Sequence, residues 1–133
     1  GCLIVVDTSV WVAFFNGQAT PEADLLDDLL GRERILVGDL ILAEILQGFR
    51  RERDFRRARE LLDAFDFAPM VGKDMANRSA RNYRKLRGLG VTVRKTIDVM
   101  IGTFCMAHRL ALLHADHDFD PMEQHLGLDV VQP

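Results

Sequence analysis

Four carboxylates stand against apolar segments of this chain: Asp7 and Asp116 after apolar runs, Asp98 in the first turn of an apolar helix, and Glu44 within another. Asp7 closes the run Leu3-Ile4-Val5-Val6 and leads into Thr8 and Ser9. Its side chain can cap the helix that follows, by accepting an otherwise orphan N–H, and Ser9 can do the same. Alternatively Asp7 is a metal ligand whose carboxylate the Ser9 hydroxyl orients. Asp98 sits in the first turn of an apolar helix, on one stripe with Ile101, Gly102 and Cys105. An acid there is costly unless compensated. A helix dipole offers only about 0.3–1 kcal/mol, too little for deep burial, so a metal role is the better account. Gly102 would leave room for another group to approach. Glu44 borders the apolar stripe Ile41, Leu42, Ile45 and Phe49 on one side and the polar Gln47 and Arg51 on the other. That is a place for a surface glutamate or for one lining a cleft.

A last cluster, Asp116, Asp118 and Asp120, follows the final strong apolar run. Asp116, nearest that run, is the best candidate ligand, and one of the three is expected to cap a short helix. His114 and His117 could bind a softer metal, but their spacing is a weak zinc signal. Gathered acids repel by roughly 1–4 kcal/mol per pair at about 4 Å, so they call for cations or protons. Oxygen-only donors suit Mg²⁺, with Mn²⁺ as a substitute. Four carboxylates offset two divalent ions, and paired ions can activate water on one side of a phosphodiester while steadying the leaving oxygen on the other.

These acids must be positioned by short apolar strands alternating with helices. Strands are expected at Leu3–Val6, Ile35–Val37, Phe67–Val71, Leu110–Leu113 and Asp129–Val131. Helices are expected after Asp7, from about Pro21 to Gly31 with Thr20 as cap, from Leu40 to about Phe49 with Asp39 as cap, through the arginine-rich stretch to about Phe65, from Asp74 to about Leu86, and from Thr96 to Arg109. This alternation predicts an α/β fold of three layers, α/β/α, around a central parallel sheet of about four or five strands. In such sheets the functional crevice lies beyond the carboxyl ends of the strands, where Asp7 and Asp116 fall.

The chain's net charge of −3 conceals a division. Between Arg50 and Lys95 stand fourteen Lys or Arg against six acids, a segment charge of +8, while the remainder sums to −11. Either two solvated helix faces or a phosphate-binding surface beside a cation-binding one would produce it. On the second reading Arg84, Lys85, Arg87, Arg94 and Lys95 are candidates for contact with a phosphate backbone. No apolar stretch reaches the roughly 18–20 residues of a membrane span. The opening residues lack the basic-then-apolar pattern of a secretory leader, and Cys2 and Cys105 form neither a disulfide framework nor a metal-spaced cluster, so a cytoplasmic setting is expected.

Across nearly its whole length, residues 1–133 as one nuclease domain, the chain resembles the PIN-domain family and especially its VapC-type toxins of type II toxin–antitoxin systems. Val6-Asp7-Thr8-Ser9-Val10-Trp11 is similar to the first acidic motif of that family, Leu42-Ala43-Glu44-Ile45-Leu46-Gln47-Gly48 to its glutamate motif, Thr96-Ile97-Asp98 to its third acidic position, and Leu112 through Phe119 to its fourth. The resemblance implies a metal site of Asp7, Glu44, Asp98 and Asp116 with Asp118 auxiliary. His114 departs from the family, where a threonine often stands. It further implies Mg²⁺-assisted hydrolysis of RNA by water, leaving a 5′-phosphate, with structured RNA such as tRNA as target, a homodimer, and a cognate antitoxin partner. Two other readings compete. A non-catalytic PIN-fold interaction protein would not need four intact acids. An aspartyl-phosphate phosphotransferase or phosphatase is disfavoured by Ser9 in place of a second acid and by the lack of a lysine after Lys95.

Overall fold

The computed structural model describes residues 2–133, in which four strands and seven α-helices alternate. The strands β1 (Leu3–Val6), β2 (Arg34–Gly38), β3 (Asp66–Ala68) and β4 (Ala111–Leu113) form one sheet in the order β3-β2-β1-β4, each neighbouring pair parallel. Helices α1 (Thr8–Phe15), α2 (Pro21–Leu29), α3 (Asp39–Gln47), α4 (Glu52–Asp63), α5 (Lys73–Gly88), α6 (Thr96–His108) and α7 (Asp120–Leu126) flank it. The three-layer α/β/α reading therefore stands. Strands buried on both faces read as continuous apolar runs, and Val5, Val6, Leu112 and Leu113 are wholly buried. Among the described residues no helix is long and apolar enough to cross a membrane.

Strand order decides where the chemistry lies. From β1 the chain runs outward through β2 to β3 and then crosses back to β4 on the other side of β1, a reversal of strand order that opens a crevice at the carboxyl ends of β1 and β4. Val6 is in register with Leu113, and the Asp7 N–H donates to the Leu113 carbonyl at 2.9 Å. The first and fourth acidic segments thus emerge side by side.

Three expectations are corrected in detail. The third strand is Asp66–Ala68 rather than Phe67–Val71, because Pro69 has no N–H for a sheet ladder and the Met70 N–H turns instead to Asp39 Oδ1 at 2.9 Å. β3 is an edge strand of the sheet, and Phe67 on it is 59% exposed. The expected fifth strand at Asp129–Val131 is only a bridge, Val130 opposite Leu112, since β4 spans three residues before it breaks away toward Asp116. Asp39 does not cap α3; Gly38 is the N-cap, and Asp39 is the first helical residue, its Oδ1 taking the N–H groups of Leu40 and Met70.

Gly38 is where β2 hands over to α3, and the fully buried Met70 lies against it so closely that a Cβ would overlap its Cγ and Sδ. The backbone there is extended, so the need for glycine is one of space, not of φ. Gly38→Ala is expected to cost about 1–3 kcal/mol by overpacking. Combined with Met70→Ala, it should cost less than the two single changes together, because the truncated side chain frees the space the methyl group takes. Urea melts of the four proteins test this, and strict additivity would refute it.

Candidate metal centre

Asp7 both caps α1 and faces the crevice. Its Oδ2 accepts the Ser9 N–H at 3.0 Å and the Ser9 hydroxyl at 2.7 Å, so the alternatives of cap and site residue are compatible. The Ser9 Oγ in turn accepts the Ala115 N–H at 3.0 Å, which ties the start of α1 to the loop after β4. Burial pushes the Asp7 carboxyl above the usual range, the bonds from Ser9 oppose this, and the charge of Asp116 adds to it. The Cys105 thiol, fully buried and subject to the Asp7 charge, is pushed up to about 12, mainly by burial, and so stays protonated.

Glu44 reaches the same field from α3. Its Oε1 accepts the Thr8 hydroxyl at 2.8 Å, and its carboxyl is raised by burial first and then by Asp7, with Thr8 and Lys95 opposing. Thr8 was not among the candidates drawn from sequence. The available signal was its place between Asp7 and Ser9, but only the packing of α1 against α3 shows which acid it meets.

Asp98, 4% exposed, comes from the first turn of α6. Its Oδ2 has no hydrogen-bond partner among the described residues; the Lys95 Nζ lies 3.3 Å away without the angle a hydrogen bond requires. Burial drives its carboxyl up to about 6, with Lys95 opposing and Asp7 and Asp116 reinforcing the rise. The room expected beside Gly102 is taken by the Met122 thioether, which seats α7 on α6.

Asp116 and Asp118 lie on the turn after β4. Asp116 Oδ1 accepts the Asp118 N–H at 2.9 Å, capping the short 3₁₀ segment His117–Phe119, and Phe119 is buried beneath it. His114 steadies the same turn: its Nδ1 accepts the Asp116 N–H at 3.1 Å, and its ring packs 4.9 Å from Phe119. Burial would raise the Asp116 carboxyl, but the Asp118 N–H and Lys95 outweigh it and hold it below the usual range. One carboxylate oxygen each from Asp98, Asp116 and Asp118 lies within 4.8 Å of the others. Lys95 stands among them, its Nζ 3.0 Å from Asp116 and 3.9 Å from Asp118. Its ammonium therefore belongs to the acid cluster, unlike the exposed Arg84, Lys85, Arg87 and Arg94. The signal in sequence was its i,i+3 relation to Asp98.

An oxygen-only donor set with one buried, unbonded carboxylate oxygen fits a hard divalent cation. Neither imidazole joins the triad, which consists of Asp98, Asp116 and Asp118; His117 is fully exposed and paired with Asp120 at 2.9 Å. The carboxyl of Asp98 titrates at about 6 in the fold against 3.8 ordinarily, so the folded chain holds this proton more tightly than the unfolded one. The resulting destabilisation is complete above about pH 6 and is relieved as pH falls from there toward 4. Metal-free Asp98→Asn is accordingly expected to equal the parent or exceed it by up to about 2 kcal/mol near pH 8, with the gap roughly halved near pH 5. Paired denaturant melts at the two pH values read this; a loss of about 1 kcal/mol near pH 8 would mean that Asp98 serves only as a helix-end charge.

The PIN domain family model matches residues 4–123 of this chain. Ribonuclease VapC11 of Mycobacterium tuberculosis is 31% identical over 123 residues, which cover 89% of this chain and 90% of the relative. Two solved structures share the fold. VapBC2 from Rickettsia felis, bound to a DNA fragment from its promoter, matches with a TM-score of 0.77 at 14% identity over 97% of each chain. VapC20 of Mycobacterium tuberculosis, a sarcin–ricin loop cleaving toxin, matches with a TM-score of 0.72 at 16% identity over 98% of this chain and 99% of its own. With a family match running from Ile4 to Glu123 and a VapC relative aligned over nine tenths of its length, this chain belongs to the PIN-domain family, among its VapC-type members.

Proposed function

We propose that this chain is a metal-dependent endoribonuclease, the toxin of a toxin–antitoxin pair, using Mg²⁺ or, as a substitute, Mn²⁺. The observation that carries the reading is the convergence of Asp98, Asp116 and Asp118 at the crevice, with the Asp98 oxygen buried and unbonded. Similarity to a VapC ribonuclease supports RNA as the substrate class. Asp7, Glu44, Asp98 and Asp116 hold the cation, with Asp118 auxiliary. A divalent ion so held supplies the Lewis acidity that favours attack of water on phosphorus and steadies charge on the departing oxygen. The protein's own part is preorganisation. Ser9 fixes Asp7, Thr8 fixes Glu44, and the 3₁₀ turn fixes Asp116, so little reorientation is needed when substrate arrives. Hydrolysis by water leaves a 5′-phosphate and a 3′-hydroxyl.

Structured RNA, tRNA among the candidates, would be held through its phosphates by exposed Arg84, Lys85 and Arg87 on α5 and by Arg94 before α6. Lys95, also a candidate for this role, would first have to leave its carboxylates. A cognate antitoxin restrains the enzyme in this reading, and the chain acts as a homodimer in the cytoplasm. The VapBC complexes that share its fold support the first of these, and the free thiols of Cys2 and Cys105 suit the last.

Asp98→Asn and Asp7→Asn are each expected to lower Mg²⁺-dependent RNA cleavage by about two orders of magnitude or more while the protein stays folded. Sequencing of RNA 5′ ends after induction, with Asp7→Asn as control, locates the cut. A folded, fully active Asp98→Asn protein would sink the four-carboxylate site. Neutralising Arg84, Lys85 and Arg87 together should weaken RNA binding and flatten its logarithmic salt slope by about 2, with cleavage at saturating RNA largely kept. An unchanged slope would place the RNA path on another face.

A further inference from the structure

The acid triad already contains a cation. The Lys95 side chain, half exposed, returns from the residue before α6 to place its ammonium 3.0 Å from Asp116, 3.3 Å from Asp98 and 3.9 Å from Asp118. The oxygens it contacts belong to the three carboxylates that come within 4.8 Å of one another. A hard divalent ion seeks oxygen ligands at roughly 2.0–2.6 Å, so an ion meeting these three acids would occupy the space of the ammonium and repel its charge. The two cations cannot share that position.

From this exclusion we infer that Lys95 is a resident counter-ion, which holds the carboxylates together while the site is metal-free and is displaced when a divalent ion enters. Two features set it apart from an ordinary surface ion pair. It spans two elements, joining α6 to the turn after β4 whose acids would otherwise repel. It also leaves Asp98 Oδ2 buried and without a hydrogen bond, so that oxygen is incompletely satisfied by the ammonium. Lys95 thereby preserves the site but lowers its apparent affinity for metal, because binding must break the lysine contacts. Once displaced, the ammonium is a positive charge beside the acids, available to a substrate phosphate. Lys95 is a positioning residue in the metal-free protein.

The inference rests on the metal reading above, and its test separates the two. Magnesium titration calorimetry on the purified full chain at about pH 8, without RNA, compares the parent with Lys95→Met and Lys95→Arg. Lys95→Met is expected to bind Mg²⁺ about tenfold more tightly, since no cation must leave. Lys95→Arg, which keeps the charge, should stay near the parent. In the absence of metal, Lys95→Met should melt at a lower temperature, and added Mg²⁺ should reverse the order. The chain has only three lysines, Lys73, Lys85 and Lys95, so ¹³C-methylated lysine NMR can follow each one. The Lys95 resonance is expected to move on Mg²⁺ addition while the other two stay in place. Binding by the parent with unchanged or weaker affinity in Lys95→Met, or a Lys95 resonance indifferent to Mg²⁺, overturns the counter-ion role alone. No Mg²⁺ binding by either protein overturns the metal reading and the inference together.

Discussion

Carboxylates brought together out of water must be compensated, and much of the local structure at this crevice serves that constraint. Each acid is compensated in its own way. Asp7 is held by a hydroxyl and a backbone N–H from Ser9, Glu44 by the Thr8 hydroxyl, and Asp116 by a backbone N–H and the Lys95 ammonium. Asp98 receives least: an ammonium at 3.3 Å, no hydrogen bond to Oδ2, and burial that lifts its carboxyl to about 6. The site is thus under electrostatic tension that a divalent cation would relieve.

This tension is tolerated because the supporting elements are braced independently of the acids. β1 and β4 are buried on both faces, and each of their apolar side chains contributes on the order of 1.5–3 kcal/mol when fully removed from water. Phe119 and Met122 anchor the turn and helix beyond Asp116, and the Asn82–Thr103 hydrogen bond of 2.9 Å joins α5 to α6. The charge division along the chain has a matching spatial form. Five acids, Asp7, Glu44, Asp98, Asp116 and Asp118, converge at one crevice, while the arginines of α4 and α5 remain solvated or in exposed i,i+4 pairs such as Arg56 with Glu52 and Arg78 with Asp74. Such pairs contribute little to stability, which leaves the basic helices free to be selected for binding.

Much was legible in the sequence, for local reasons. Alternation of apolar runs with periodic helical segments marks a parallel sheet, and Asp7 and Asp116 could be placed at strand ends because one directly follows a hydrophobic run and the other lies three positions past the end of one. Asp98 stood out because an acid on an apolar stripe is expensive, and its burial follows from that stripe facing the core. Boundaries were less legible where non-local pairing sets them. The third strand stops at Ala68 because Met70 is drawn to Asp39, thirty-one positions earlier, and the fifth strand shrinks to a bridge because β4 is short.

What the residue order determined alone was the inventory: four acids set against apolar segments, a basic middle, and a succession of elements compatible with one sheet order among several. Tertiary structure decided which of these meet. Thr8 and Glu44 are thirty-six positions apart, and Ser9 and Ala115 one hundred and six, so no periodicity could pair them. The same holds for Lys95, which by composition belongs with the basic segment and by position with the acids. Its ammonium goes where three carboxylates need a charge, and that need exists only once β1, β4 and α6 have packed and removed the water that would otherwise screen them.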